Sequence, residues 1–214
     1  MKMIEYLTEA YGCCTPIILK DLRIGGKTKT AIRKELSRAT AEGKICRMKN
    51  GVYYILEDTA IPRELSFRDV VEIKFIKNDY GFKGLDLDVY GYYSGQTFLH
   101  QLGLTQQVPA KLEIVTNKTS CKRIYACKGF KAIIRKCRCA IDRFNYKILQ
   151  LFDALNFMSE DMFEDNIERI TNYYKSIATK GDMEKYSVYF PHIVVDRLLR
   201  LEAFSEVTRR QSSI

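Results

Sequence analysis

Residues 15–56 read TPIILKDLRIGGKTKTAIRKELSRATAEGKICRMKNGVYYIL. Thr15 is placed to cap a helix whose first residue is Pro16, where a missing N–H costs nothing, and Gly25-Gly26 would end it with residues that tolerate positive φ. A second helix is predicted from Thr28 or Thr30. It sets Ile32, Leu36 and Ala39 on one face and leaves Lys29, Arg33, Lys34, Ser37 and Arg38 on the other. Gly43 stops that helix. Two short strands, Ile45–Met48 and Val52–Ile55, then flank Asn50-Gly51, the pair favoured by a primed hairpin turn. Helix, turn, basic helix and hairpin, in that order, predict a winged helix-turn-helix over residues 1–60. Ile4 and Leu7, spaced i and i+3, predict a short helix from Met3 to Ala10 beneath it.

Beyond the hairpin, Glu57 to Ser66 is polar and contains Pro62, which reads as a linker to a second domain over residues 63–214. Phe67, Val71 and Phe75 tilt an ambiguous apolar run toward helix. Alternation from Leu85 to Tyr93 predicts a strand, and Ser94 to Leu102 a helix stopped by Gly103. Strands follow at Leu112–Thr116, Arg123–Tyr125 and Ala132–Cys139. From Asn145 the periodicity turns helical, with one stripe at Ile148, Leu151, Phe152 and Leu155 and another at Ile167, Ile170, Tyr174 and Ile177. A last helix after Pro191 directs Val194, Leu198 and Leu201 inward, and Arg209–Ile214 is expected to fray. The predicted class is therefore α+β: an N-terminal winged helix-turn-helix, then a mixed α/β domain ending in helices.

The net charge of +9 favours a polyanionic partner, and its distribution is uneven. Residues 1–56 carry about +6, residues 57–110 about −3, residues 111–147 about +9 and the remainder about −3. The second basic block, with Lys131, Arg135, Lys136 and Arg138 at its centre, reads either as solvated sheet surface or as a second phosphate-tracking surface, one that extends the footprint on DNA or serves RNA separately. No apolar run is long enough for a membrane span and no basic-then-apolar leader opens the chain, so a cytoplasmic protein with no membrane partner is expected. The seven cysteines form no CxxC pair and are expected to be reduced and structural.

In a helix-turn-helix the outward face of the second helix enters the major groove, so Lys29, Thr30, Arg33 and Lys34 are the candidates to reach base edges of operator double-stranded DNA. Arg33 has the fork to grip a guanine, while Lys44, Arg47 and Lys49 on the hairpin would meet phosphate. The competing reading is a metal-dependent nuclease or other nucleic-acid-processing enzyme in the second domain, using Asp86, Asp88 and Glu113. Glu113 lacks the lysine two residues on that one common nuclease arrangement uses. Neither His100 nor His192 stands beside a nucleophile motif, and Gly25-Gly26-Lys27-Thr28 lacks the first glycine of a phosphate loop. No catalytic residue, metal or cofactor is expected, and the chain is read as a non-enzyme.

Leu36 through Glu42-Gly43-Lys44-Ile45 to Gly51-Val52-Tyr53 resembles the N-terminal domain of the AbiEi-type antitoxins, the transcriptional half of bacterial type IV toxin-antitoxin and abortive-infection systems. Gly91-Tyr92-Tyr93-Ser94-Gly95 and Leu102-Gly103-Leu104-Thr105-Gln106-Gln107-Val108-Pro109 are similar to the middle of the same family. The resemblance reaches to about Asn156. It implies a DNA-binding autorepressor of a two-gene operon that neutralises a cognate nucleotidyltransferase-type toxin, with or without a stable complex.

Overall fold

The computed structural model describes residues 3–78, 88–179 and 181–211. The chain divides into two compact units, residues 1–88 with 127–130, and residues 89–126 with 131–214.

The first unit opens with α1 (Met3–Tyr11), which buries Met3, Leu7 and Ala10 at i, i+4 and i+7. The helix expected from Pro16 does not form. Ile17–Ile18 is instead a strand, β1, paired antiparallel with β3 through Ile17↔Tyr53 and Ile18↔Val52. Two adjacent β-branched residues, both buried, suit a pleated ladder better than a helix. Only one turn follows, closed by Asp21 and Leu22 N–H on the Ile18 carbonyl, and it sinks Leu22 into the core. Next comes α2 (Lys29–Ala41), with Thr28 as its N-cap: the Thr28 hydroxyl accepts from Ala31 N–H at 3.2 Å. Its buried residues, Ile32, Leu36 and Ala39, are those the periodicity predicts. β2 (Cys46–Lys49) and β3 (Val52–Tyr54) complete a three-stranded sheet in the order β1-β3-β2. Their turn is not the primed type that Asn-Gly suggests. Gly51 has φ +77° whereas Asn50 stays outside the positive-φ set, and the register shifts between Arg47 and Lys49. Leu7, Leu22, Ile32, Leu36, Ile45 and Tyr53 meet in the core.

The unit does not end at Pro62. Residues 57–64 are exposed, as a linker should be, but α3 (Phe67–Phe75) returns to the unit and buries Phe67, Val70, Val71 and Phe75. Ser66 and Asp69 form a capping box at its start. The Cys14 thiol donates to the Arg63 carbonyl at 3.1 Å, and Cys14, Pro16, Asp69 and Ile73 line one small cavity. Those contacts carry the compact unit past the expected boundary. β4 (Lys77–Asn78) and β5 (Asp88–Val89) form a two-stranded ladder. Within the same unit Phe130 stacks on Phe67 at 5.9 Å.

The second unit is built on a sheet of β6 (Gly91–Tyr93), β7 (Leu112–Thr116), β8 (Arg123–Cys127) and β9 (Phe130–Lys136), in the order β6-β7-β9-β8. β6 and β7 are antiparallel, β7 and β9 parallel. The two-residue loop between β8 and β9, within the residues 127–130 counted with the first unit, has positive φ at both Lys128 (47°) and Gly129 (83°), so the primed turn occurs here. α4 (Gly95–Gln101) lies on β7, where the Thr97 hydroxyl accepts from Glu113 N–H at 2.9 Å. α5 (Tyr146–Phe157) is the central helix. Every residue from Ile148 to Leu155 is buried, because α4, β6 and the later helices pack around it. α6 (Glu160–Asp165), α7 (Ile167–Ile177), α8 (Asp182–Ser187) and α9 (His192–Gln211) complete the unit. α9 buries Val194, Leu198 and Leu201 as predicted, and extends through Arg209 to Gln211 where the sequence predicts fraying. α6 and α8, each six residues long, are too short to show a periodicity in the sequence.

Candidate nucleic-acid interface

The buried stripe of α2 fixes what its other side presents. Because Ile32, Leu36 and Ala39 face the core, Lys29, Thr30, Arg33, Lys34, Ser37 and Arg38 are all exposed. Arg33 and Ser37, one turn apart, line a cleft of about 540 Å³ whose other wall is the β2–β3 hairpin, contributed by Arg47, Asn50, Gly51 and Tyr53. The structure thus brings together Arg33, Ser37 and Arg47. Arg47 donates to the Asn50 side-chain oxygen, and its guanidinium lies 5.9 Å from the Tyr53 ring centre. Asn50 and Tyr53 are not among the site residues predicted from sequence. Asn50 reads there only as turn chemistry, and nothing in its type announces a side chain that orients an arginine.

Other predicted residues stand apart from the cleft. Lys44 pairs with Glu42 at 2.6 Å, and Arg38 lies 3.9 Å from the same carboxylate. The hydrogen bond from Lys44, more than its charge alone, lowers the Glu42 carboxyl below its ordinary value. At the other end of the helix Lys27 pairs with Glu35 at 2.7 Å. Lys29 and Lys34 are exposed on α2 and Lys49 is half-buried on β2.

The second basic set does not form one surface. Lys131 and Arg135 share a face of β9, whereas Lys136 is on the opposite face, as the period of two requires. Lys131 and Lys136 are exposed, but Arg135 turns inward. The register Tyr92↔Val115↔Arg135 sets Tyr92 and Arg135 on one face, over Asp153 of α5. Arg135 donates to Ser94 Oγ at 2.8 Å and lies 3.7 Å from Glu113; Asp153 accepts from Ser94 Oγ at 3.1 Å and from Tyr92 OH at 3.3 Å. Arg138 approaches the other Asp153 oxygen at 3.9 Å and covers the Phe190 ring at 5.3 Å. Burial raises the Asp153 carboxyl, against the lowering pull of Arg135, Ser94, Arg138 and Tyr92. Glu113 also lies over Gly95, where a Cβ would come within 2.6 Å of its carboxylate. This cluster ties α5 to the sheet.

Of the residues weighed for a nuclease site, Asp86 lies outside the described residues, Asp88 is exposed on β5, and Glu113 is engaged as above. His100 is half-buried on α4 and His192 begins α9. Among the described residues no three His, Cys, Asp or Glu side chains gather as a metal site would need, and no helix is long and apolar enough to cross a membrane. In comparisons with known proteins, no family model and no curated protein matches the chain.

Proposed function

We propose that the chain is a DNA-binding transcriptional autorepressor and antitoxin of the AbiEi type. On this reading the first unit is a winged helix whose first helix-turn-helix element has shrunk to the single turn after β1, and α2 is the helix that enters the major groove. One observation carries the DNA half: an exposed basic face of a capped helix stands across a cleft from a hairpin whose arginine is held in place, with Arg33, Ser37 and Arg47 on the two walls. Arg33 would read a base edge, and Arg47 would meet the phosphate beside it. The reading places Lys29, Thr30 and Lys34 on the groove side and Lys44 and Lys49 at the flanks.

The antitoxin half rests on the resemblance of the GYYSG and GLTQQVP segments. In the fold, the first of these supplies Tyr92 and Ser94 to the cluster around Asp153, and so supports the second unit's core. A non-enzymatic cytoplasmic protein, with operator DNA and a nucleotidyltransferase-type toxin as its partners, completes the proposal. Co-expression with the toxin encoded beside it, scored by growth and by a promoter reporter, tests both halves. The expected result is repression and protection by the parent, and loss of repression alone in Arg33→Ala. Loss of neither would oppose the DNA assignment, and a parent that does not protect would oppose the antitoxin assignment.

A further inference from the structure

Between β9 and α5 the chain forms a loop closed by amide side chains on both sides. Asn117 takes both polar groups of Ile141, donating to its carbonyl at 2.7 Å and accepting its N–H at 3.0 Å. Asn145 donates to the Ala140 carbonyl at 2.9 Å and accepts from Asp142 N–H at 2.9 Å. The Asp142 carboxylate in turn accepts from the N–H groups of Phe144 (2.7 Å) and Asn145 (2.9 Å). Ile141 and Asn145 are 4% and 5% exposed and anchor the loop; Phe144, between them, is 80% exposed. A phenylalanine in a loose loop could fold back onto apolar surface. Here the backbone is tied on either side of it, and the ring is held in water.

Two cations adjoin that ring along the chain. Arg143 lies over it, its guanidinium carbon 4.8 Å from the ring centre, and Lys147, the second residue of α5, is exposed. From Lys131 to Lys147 the only acidic residue is Asp142, whose carboxylate accepts from backbone N–H groups of the loop. Arg138, over Phe190, connects this region to Tyr189 next along the chain, itself 47% exposed.

We propose that this loop is a binding surface for single-stranded nucleic acid: an unstacked base lies against Phe144, and Arg143 and Lys147 meet the flanking phosphates. Every base has a π-face, so such a platform is tolerant of sequence, and the guanidinium beside the ring adds cation–π attraction to the base it meets. A duplex fits less well. Its bases are stacked on one another, and a ring on a loop reaches none of their faces without unstacking a step. The surface uses no residue of α2, and the proposal stands independently of the operator reading.

The test is fluorescence anisotropy with the full chain and end-labelled single strands, oligo(dT) and oligo(U), beside a duplex of unrelated sequence and vesicles of anionic phospholipid. Both single strands are expected to bind more tightly than the duplex; the difference between them shows whether the sugar 2′-hydroxyl contributes. Phe144→Ala should weaken single-strand binding by about fivefold to 150-fold, and Phe144→Trp should restore it. Arg143→Gln with Lys147→Gln should lower the salt slope by about 0.7 for each phosphate that the strand no longer has neutralised. Because Phe144 is almost fully exposed, these variants should fold, which circular dichroism and promoter-duplex affinity can confirm. Single-strand affinity unchanged in Phe144→Ala, or lost only in Arg33→Ala, would overturn the proposal. So would absence of single-strand binding, or a Phe144-dependent preference for vesicles.

Discussion

The Arg47 guanidinium donates to the side-chain oxygen of Asn50 across the hairpin turn, so the turn that ends β2 also orients the cation facing α2. Asn50→Ala keeps the strand pairing, since Gly51 alone requires positive φ, but frees Arg47 to sample other rotamers. The expected outcome is duplex affinity about threefold to tenfold weaker, with the sequence preference unchanged. Asn50→Asp, which retains the acceptor, should hold Arg47 but repel phosphate. Titrations on promoter and scrambled duplex separate the two effects.

On the proposed operator reading, salt dependence reports how many phosphates the first unit meets. Promoter affinity should fall steeply with salt, by about 0.9 in log slope per phosphate neutralised. Lys49→Ala should lower that slope and weaken promoter and scrambled duplex alike. An unchanged slope would move Lys49 off the interface.

Asp153 gives a pH signature for the second unit. Its folded carboxyl is raised above its unfolded value, chiefly by burial, so the native state binds the proton more tightly. Stability is then lost as pH rises from the ordinary carboxylate value through the raised folded one. Asp153→Asn cannot ionise and does not share that loss. Melting temperatures across this window should therefore shift in favour of the variant as pH increases; a shift in favour of the parent would mean that Arg135 and Arg138 outweigh burial.

Arg197 is 1% exposed and donates to the carbonyls of Leu155 and Met158 and, at 2.8 Å, to Glu160. It joins α9 to the α5–α6 connection. Arg197→Met should cost about 2–4 kcal/mol by leaving buried carbonyls without donors. Glu160→Gln, at an exposed carboxylate, should cost less than Arg197→Met does. Denaturant unfolding of both variants gives the comparison.

Where one face of an element is buried and the other wet, its own residues are sufficient to place it. Ile32, Leu36 and Ala39 mark the inner face of α2. Ile17-Ile18 misleads because a proline after a threonine is good helix-start chemistry. The pairing with Val52 and Tyr53 that decides for a strand lies more than thirty residues away. The same distance hides the boundary of the first unit, since Pro62 looks like a linker whatever α3 does next. Gln150 and Asp153 break the apolar stripe of α5, and nothing local marks them as buried. Their partners, the Tyr93 carbonyl, Ser94 and Tyr92, are supplied by a strand some sixty residues earlier. For the candidate interface, residue type predicts the exposed cations well, but not which of them an acid engages: Lys44 is held by Glu42, and Arg135 is drawn to Ser94 and Glu113.

Arg33 reading a base edge is the central claim, and a matched titration tests it most directly. The full chain and Arg33→Ala are titrated onto the protein's own promoter and onto a scrambled duplex of equal length at one salt concentration. The account predicts that Arg33→Ala binds the promoter about fivefold to 150-fold more weakly and the scrambled duplex with only the small loss expected of one charge. Equal losses on the two duplexes, or none on either, would contradict it.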